Sequence, residues 1–337
     1  MTNYNSVANN PEETMMFRRV SLLAAALALS IAAVAQDYPN HTVSMVVPYA
    51  AGGPTDTVAR VVAQAMSKPL GETVVVENRP SAGGILAPQV VKNAKPDGYT
   101  ILIHHIGMAT IPTLYRNAGF DPLNDFEYIG LVNEVPMTII GRPNLPANSL
   151  KELIAYIKAN KDKVSCANAG IGAASHLCGM LFMSAIQTDV LTVPYKGTGP
   201  AMTDIIGGRV DFMCDQTTST TSQIKGGKVK VYGITSGKRI ASLPDVPTLD
   251  EQGLKGADVG IWHGLYAPKG TPRAAIEKLV SALHQALADP AVQAKFAELG
   301  AVTYPPDMQT PQALQRHLKA EIDKWSPIIR KAGIYAD

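Results

Sequence analysis

Two short stretches of this chain share one arrangement of residues. Val46-Val47-Pro48-Tyr49-Ala50-Ala51-Gly52-Gly53-Pro54-Thr55-Asp56 ends a β-branched run at a proline and passes through small residues and glycines. It restarts in helical periodicity at Thr57-Val58-Ala59-Arg60. Val164 to Leu177 repeats the pattern, with Asn168-Ala169-Gly170-Ile171-Gly172-Ala173 between a short strand and Ala174-Ser175-His176-Leu177. The chemistry such turns offer is anion binding by backbone. Glycines leave N–H groups unshielded. A helix start leaves donors unpaired and about half a positive charge. Thr55 or Asp56 is expected to cap the first helix. Hydrogen bonds to a charged group contribute about 1.5–3 kcal/mol each, so four or five support micromolar binding or tighter. The P-loop lysine and the dinucleotide glycine spacing are both missing, so a carboxylate fits better than a nucleotide phosphate.

The candidate binding positions on these turns are Tyr49, Ala51, Gly52, Gly53, Thr55 and Asp56, then Asn168, Gly170, Gly172, Ala173 and Ser175. Tyr49 offers a ring to cover a ligand and a hydroxyl to bond it. Asp56 reads as a residue that orients the loop or holds a water, because a bare carboxylate would repel an anion. Arg60, a turn further on, reads as an ion-pair or packing residue. Ser175, His176 and Asp215 could be drawn as a hydrolase triad. Neighbouring residues on one helix point some 100° apart, however, and no Gly-x-Ser-x-Gly elbow exists, so no enzyme is expected. No Cys/His spacing suggests a metal, and no motif calls for a cofactor.

The rest of the chain must position these turns. Short β-rich runs alternate with helices whose apolar residues recur at i, i+3, i+4 and i+7, as at Val58, Val61, Val62, Ala65 and Met66. This predicts an α/β fold with mostly parallel sheets. The C-terminal part reads as helices over 273–287, 290–299 and 311–332. Separate strands are expected over 128–131 and 138–142. A net charge of +2 gives no footprint for nucleic acid. Phe17-Arg18-Arg19, the apolar run Val20–Ala33 and Ala33-Val34-Ala35 read as a cleaved secretory signal, with residues 1–35 removed and the mature chain starting near Gln36 or Asp37. In an oxidising compartment the three cysteines leave two options: a Cys166–Cys178 bridge between a strand end and the following helix, or buried apolar thiols.

These motifs together resemble the Bug-type receptors of the tripartite tricarboxylate transporters. The resemblance begins with Pro48–Asp56 and Ala59-Arg60 and continues through Glu77-Asn78-Arg79-Pro80, Ala82-Gly83-Gly84 and Pro96-Asp97-Gly98-Tyr99-Thr100. It extends through Val193-Pro194-Tyr195-Lys196-Gly197, Gly207-Gly208-Arg209-Val210-Asp211 and Leu243-Pro244-Asp245-Val246-Pro247-Thr248. Gly264-Leu265-Tyr266-Ala267-Pro268 and Gly270-Thr271-Pro272 complete it. It implies a two-lobed periplasmic-binding-protein (Venus flytrap, type II) fold with two chain crossings. Lobe 1 would hold residues 37–137 and 259–337, and lobe 2 residues 138–258. It further implies a monomeric periplasmic receptor that captures a small carboxylate and delivers it to a two-subunit membrane permease. The alternative is a sensor that acts on a membrane signalling partner. His104-His105, after the third strand, and Asp215-Gln216, opening into the cleft, depart from relatives where substrate choice would be made. The flat bodies of the histidine pair, Tyr49 and Tyr195 tilt the reading toward an aromatic mono- or dicarboxylate over a short aliphatic dicarboxylate. With the cleft empty, the two sets of donors are expected to face water, with nothing holding the lobes together.

Overall fold

The computed structural model describes residues 38–333 and 335–336, so the secretory-signal reading lies outside the described residues. The strands are β1 Val43–Val47, β2 Val74–Asn78, β3 Thr100–His105, β4 Phe126–Gly141, β5 Ser165–Asn168, β6 Leu191–Pro194, β7 Phe212–Gln216, β8 Lys230–Ile234, β9 Gly260–Pro268 and β10 Val302–Thr303. The α-helices are α1 Pro54–Leu70, α2 Leu86–Lys92, α3 Gly107–Leu114, α4 Leu150–Ala159, α5 Ala174–Ile186, α6 Thr198–Ile206, α7 Thr217–Lys225, α8 Arg273–Ala288, α9 Pro290–Glu298 and α10 Pro311–Ala332.

Local chemistry explains the element that matters most. Pro54 opens α1, its ring presetting the helical φ at a position where the missing N–H is no loss. The N-cap is therefore Gly53, not Thr55 or Asp56, and no side chain caps it. Val58, Ala59, Val62, Ala63 and Met66 form the buried stripe of α1. The helix stops at Gly71 in the left-handed conformation, whose N–H returns to the carbonyls of Ser67 and Lys68.

The strands form two sheets joined through β4. In the first, β2, β1 and β3 run parallel, while β9 pairs antiparallel with both β3 and β4. In the second, β7, β5 and β6 run parallel, and the far half of β4 takes β7 on one side and β8 on the other, both antiparallel. The expectation of mostly parallel sheets is thus corrected: antiparallel pairing enters with β4 and β9, the strands that border the two crossings. The two strands expected over 128–131 and 138–142 are one strand. Residues 126–136 pair with β9, and residues 137–141 pair with the second sheet.

The chain returns to the first sheet between β8 and β9, and Thr235 ties the two crossings together. Its hydroxyl accepts from Met137 N–H at 3.0 Å and donates to Val259 O at 2.7 Å, while its own N–H bonds Met137 O.

The cysteine pairing differs from the expected one. Cys178 on α5 is bonded to Cys214 on β7, and Cys166 is free and buried. The register sets Cys166 beside Phe212, so Cys166 and Cys214 lie on the same sheet face, under α5. Gly179 sits over the Cys166 sulfur. Cys178, one residue back and about 100° round the helix, is turned toward β7 instead.

Candidate functional site

Four helices of eight or more residues begin around one small cavity. It is lined by Pro54 and Thr55 of α1, Ala173, Ala174 and Ser175 at the start of α5, and Thr198 of α6. Asp215 and Gln216, the last residues of β7 before α7, line it as well, with Tyr49, His105 and Ala169. The first-turn N–H groups of such helices have no acceptor within their own helix, so positive partial charge converges here. The space left is ≈ 10 Å³, about what one water needs. The cleft is shut.

Seven of the expected residues line this cavity: Tyr49, Thr55, His105, Ala173, Ser175, Asp215 and Gln216. The others do not line it. Asp56 is buried and saturated: it accepts from Gly52 N–H at 3.0 Å and from Asn78 at 3.0 Å, and Arg60 grips both its oxygens at 2.9 and 3.0 Å. Despite burial, these bonds hold its carboxyl below the usual carboxylate range. Gly52 therefore gives its N–H to Asp56, and Arg60 takes the ion-pair role. Ala51 and Gly52 face an outer groove shared with Gly199, Thr218 and Ser219. Asn168 turns back to accept from Gly170 N–H at 2.8 Å. Tyr195 donates to Asp204 at 2.8 Å and is only half-buried, away from the cavity. Among the residues not foreseen, Thr198 stands out. It follows Gly197 at a third glycine-to-helix start, a signal present in Lys196-Gly197-Thr198-Gly199.

Glycine serves lobe contact here as much as ligand approach. A β-carbon on Gly170, where φ is 95°, would run into Gly83 N and the Ala82 backbone across the cleft. At Gly53, where φ is −86°, a β-carbon meets Gly199 N at an ordinary 3.5 Å. The expectation that nothing but ligand joins the lobes is corrected. Gly83 N–H donates to Ala169 O at 2.7 Å and Ala50 N–H to Lys196 O at 3.0 Å. Tyr115 donates to Ile171 O at 3.0 Å and Thr110 to Gly172 O at 3.2 Å. Further out, Thr217 and Thr221 donate to Gly300 O and Leu299 O at 3.2 and 3.3 Å.

A wall of buried histidines backs the cavity. His105 Nδ1 accepts from Gly107 N–H at 3.0 Å, which puts its ring proton on Nε2. Tyr49 stacks on this ring with centroids 5.1 Å apart. His263 donates from Nδ1 to Asn133 at 2.9 Å and turns Nε2 toward the Thr55 hydroxyl at 3.4 Å. His104 accepts from His105 N–H at 2.8 Å. Burial pushes His104 down to about 4, His263 to about 3 and His105 well below the usual range, so all three are neutral donors and acceptors. Burial acts the other way on Asp215, raising its carboxyl to about 7, with hydrogen bonding only partly offsetting it. No lysine or arginine lines the cavity.

A cleft between two α/β lobes, closed on converging helix starts, is the architecture of a solute-binding receptor, and comparison with known proteins decides which kind. Residues 58–334 match the family model described as the tripartite tricarboxylate transporter family receptor. The chain belongs to that family. A protein of Agrobacterium vitis from the TAR-I ttuE-ttuC' intergenic region is 51% identical over 320 residues, covering 95% of this receptor and 92% of the relative. The structure of the periplasmic binding protein BugD has 54% identity and a TM-score of 0.87, covering 89% of this receptor and 100% of that chain. MatC (Rpa3494) from Rhodopseudomonas palustris, solved with bound malate, has 38% identity and a TM-score of 0.83, covering 87% of this receptor and 100% of that chain. Rpa4515 of R. palustris, solved with adipate, has 31% identity and a TM-score of 0.83, covering 88% and 99%. The two-lobed periplasmic-binding-protein fold of this receptor follows from these likenesses and from its own two-sheet topology.

Proposed function

We propose that this receptor works in the periplasm, opens its cleft to take a short aliphatic dicarboxylate between the lobes, and presents it as a monomer to a two-subunit membrane permease. The single observation that carries the reading is the convergence of the α1, α5, α6 and α7 starts on one cavity without a lysine or arginine. Helix starts and neutral histidine N–H groups suit carboxylate oxygens. The lining beside them includes alanine and proline, which suits the methylenes of an aliphatic diacid better than the aromatic acids that the flat side chains suggested. Malate in MatC and adipate in Rpa4515 support an aliphatic ligand. The lobes in this reading are residues 37–137 with 259–337, and residues 138–258, hinged beside Thr235.

A thermal-shift panel tests it. Four-carbon diacids are expected to raise the melting temperature, since a ligand at 100 times its Kd adds about 2.7 kcal/mol. Benzoate and phthalates are expected to leave it unchanged. Stabilisation by the aromatic acids alone would overturn the ligand class. Delivery is tested by uptake of the stabilising diacid in cells with and without the gene; undiminished uptake in the deletion strain counts against transport.

A further inference from the structure

Outside the shut cavity lies a groove of ≈ 780 Å³ built from both sides of the cleft. One wall is the start of α1, with Gly52 and Thr57, together with Lys295 of α9. The other is Met202 of α6 and Ser222 of α7, with Lys228 just past α7. Lobe closure sets its width. Thr221 of α7 donates to Leu299 O at 3.3 Å. The backbone of Gly199 lies so close to the α1 loop that a β-carbon there would stand 2.7 Å from Ala51 O. Parting the lobes parts the walls, so the groove is a product of closure. Its charge is one-sided. Glu298 is the acid that lines it, and Lys295 already pairs with that carboxylate at 2.9 Å. Lys295 and, after it, Lys225 hold the Glu298 carboxyl below the usual range. Lys228 has no acidic partner among the described residues. On the α7 wall the Thr218 hydroxyl is buried without a hydrogen-bond partner.

We propose that this groove docks an acidic segment of the membrane permease, with a carboxylate side chain of the segment seated on Lys228. This rests on the transport reading above and names the surface through which delivery occurs. Thr57, Thr203, Ser222 and Gln223 make the walls polar, which suits an extended acidic loop and not an apolar helix face. Lys228 is exposed, and charges at such positions govern encounter and partner choice more than raw affinity. Both lobes supply the walls, so a segment that fits them meets the closed receptor and finds half a site on the open one. The groove and the cavity share no lining residue, so the groove can be altered without touching the cavity.

Uptake of the diacid that stabilises the receptor, measured in the deletion strain supplied with receptor variants, tests the proposal. Lys228→Glu is expected to cut uptake about tenfold while calorimetry gives an unchanged diacid Kd, and Lys228→Arg to keep uptake. Lys158→Glu, the same reversal at an exposed lysine of α4 outside the groove, is expected to change neither. Carbodiimide joins an amine to a carboxylate. With purified receptor on permease-bearing membranes, it is expected to link Lys228 to an aspartate or glutamate of a permease subunit, more strongly with the diacid than without. Wild-type uptake with Lys228→Glu would overturn the proposal. So would a weakened diacid Kd in that variant, an equal loss in Lys158→Glu, or Lys228 cross-links confined to a second copy of the receptor. A wild-type receptor that restores no uptake would overturn the transport reading, and this docking site with it.

Discussion

Asp215 shows how one buried side chain ties stability to pH. An ordinary carboxyl titrates near about 3.9, and burial moves this one to about 7. The folded state therefore holds the extra proton between about pH 4 and 7. The group's contribution is full below that window and lost as pH rises through it. Asp215→Asn is expected to raise the melting temperature at pH 8 and leave it unchanged at pH 4; calorimetry showing a lower value at pH 8 would contradict this. The buried histidines have the opposite sign. Folded values near 4 for His104, near 3 for His263 and well below ordinary for His105 mean that the unfolded chain binds more protons as pH falls. Their stability is present above about pH 6.5 and lost toward pH 4. Three such groups outweigh Asp215, so the urea midpoint of the wild type is expected to drop from pH 6.5 to 4.5.

At the scale of elements, the Cys178–Cys214 bridge holds α5, which supplies Ser175 to the cavity, against β7, which supplies Asp215 and Gln216. It closes a segment with a sequence separation of 36, worth up to about 4 kcal/mol in the chain-entropy account. Cys178→Ala with Cys214→Ala is expected to lower both stability and ligand affinity. Peptide mapping of the denatured, unreduced protein is expected to find only Cys166 alkylated; a Cys166–Cys178 peptide would restore the sequence-based pairing. Cys166 itself, its thiol pushed up to about 12 by burial, is expected to resist alkylation in the folded state.

For the whole molecule, the question is what keeps the lobes together. Direct bonds such as Gly83 N–H to Ala169 O and Tyr115 to Ile171 O join them across the cleft, so ligand adds to an existing closed contact. Gly170→Ala is expected to hold the cleft open, since its methyl would stand where Ala82 and Gly83 pack. Scattering should then show a larger radius of gyration that saturating diacid does not reduce. Tyr115→Phe, which removes one bond without backbone strain, is expected to give a milder version of the same change. Curves that superimpose on the wild type for Gly170→Ala would show that this contact does not govern closure.

The sequence by itself determined the strand–glycine–helix turns, because proline, glycine and hydrophobic period act locally: Pro54 starts α1 and Val58, Val62 and Met66 name its buried face. It also determined the family, through motifs spread along most of the chain. It placed Asp215 and Gln216 at a strand end facing the cleft. What only the tertiary structure decided was which groups have partners. Asp56 and Asp215 are both aspartates at helix starts, yet one is saturated by Gly52, Asn78 and Arg60, and the other keeps an unpaired oxygen in the cavity. The same holds for Gly170, whose backbone meets Gly83 across the cleft, and for Cys178, which meets Cys214 and not Cys166. Partnership between residues far apart in the chain depends on register and lobe closure, and local residue patterns carry no record of either.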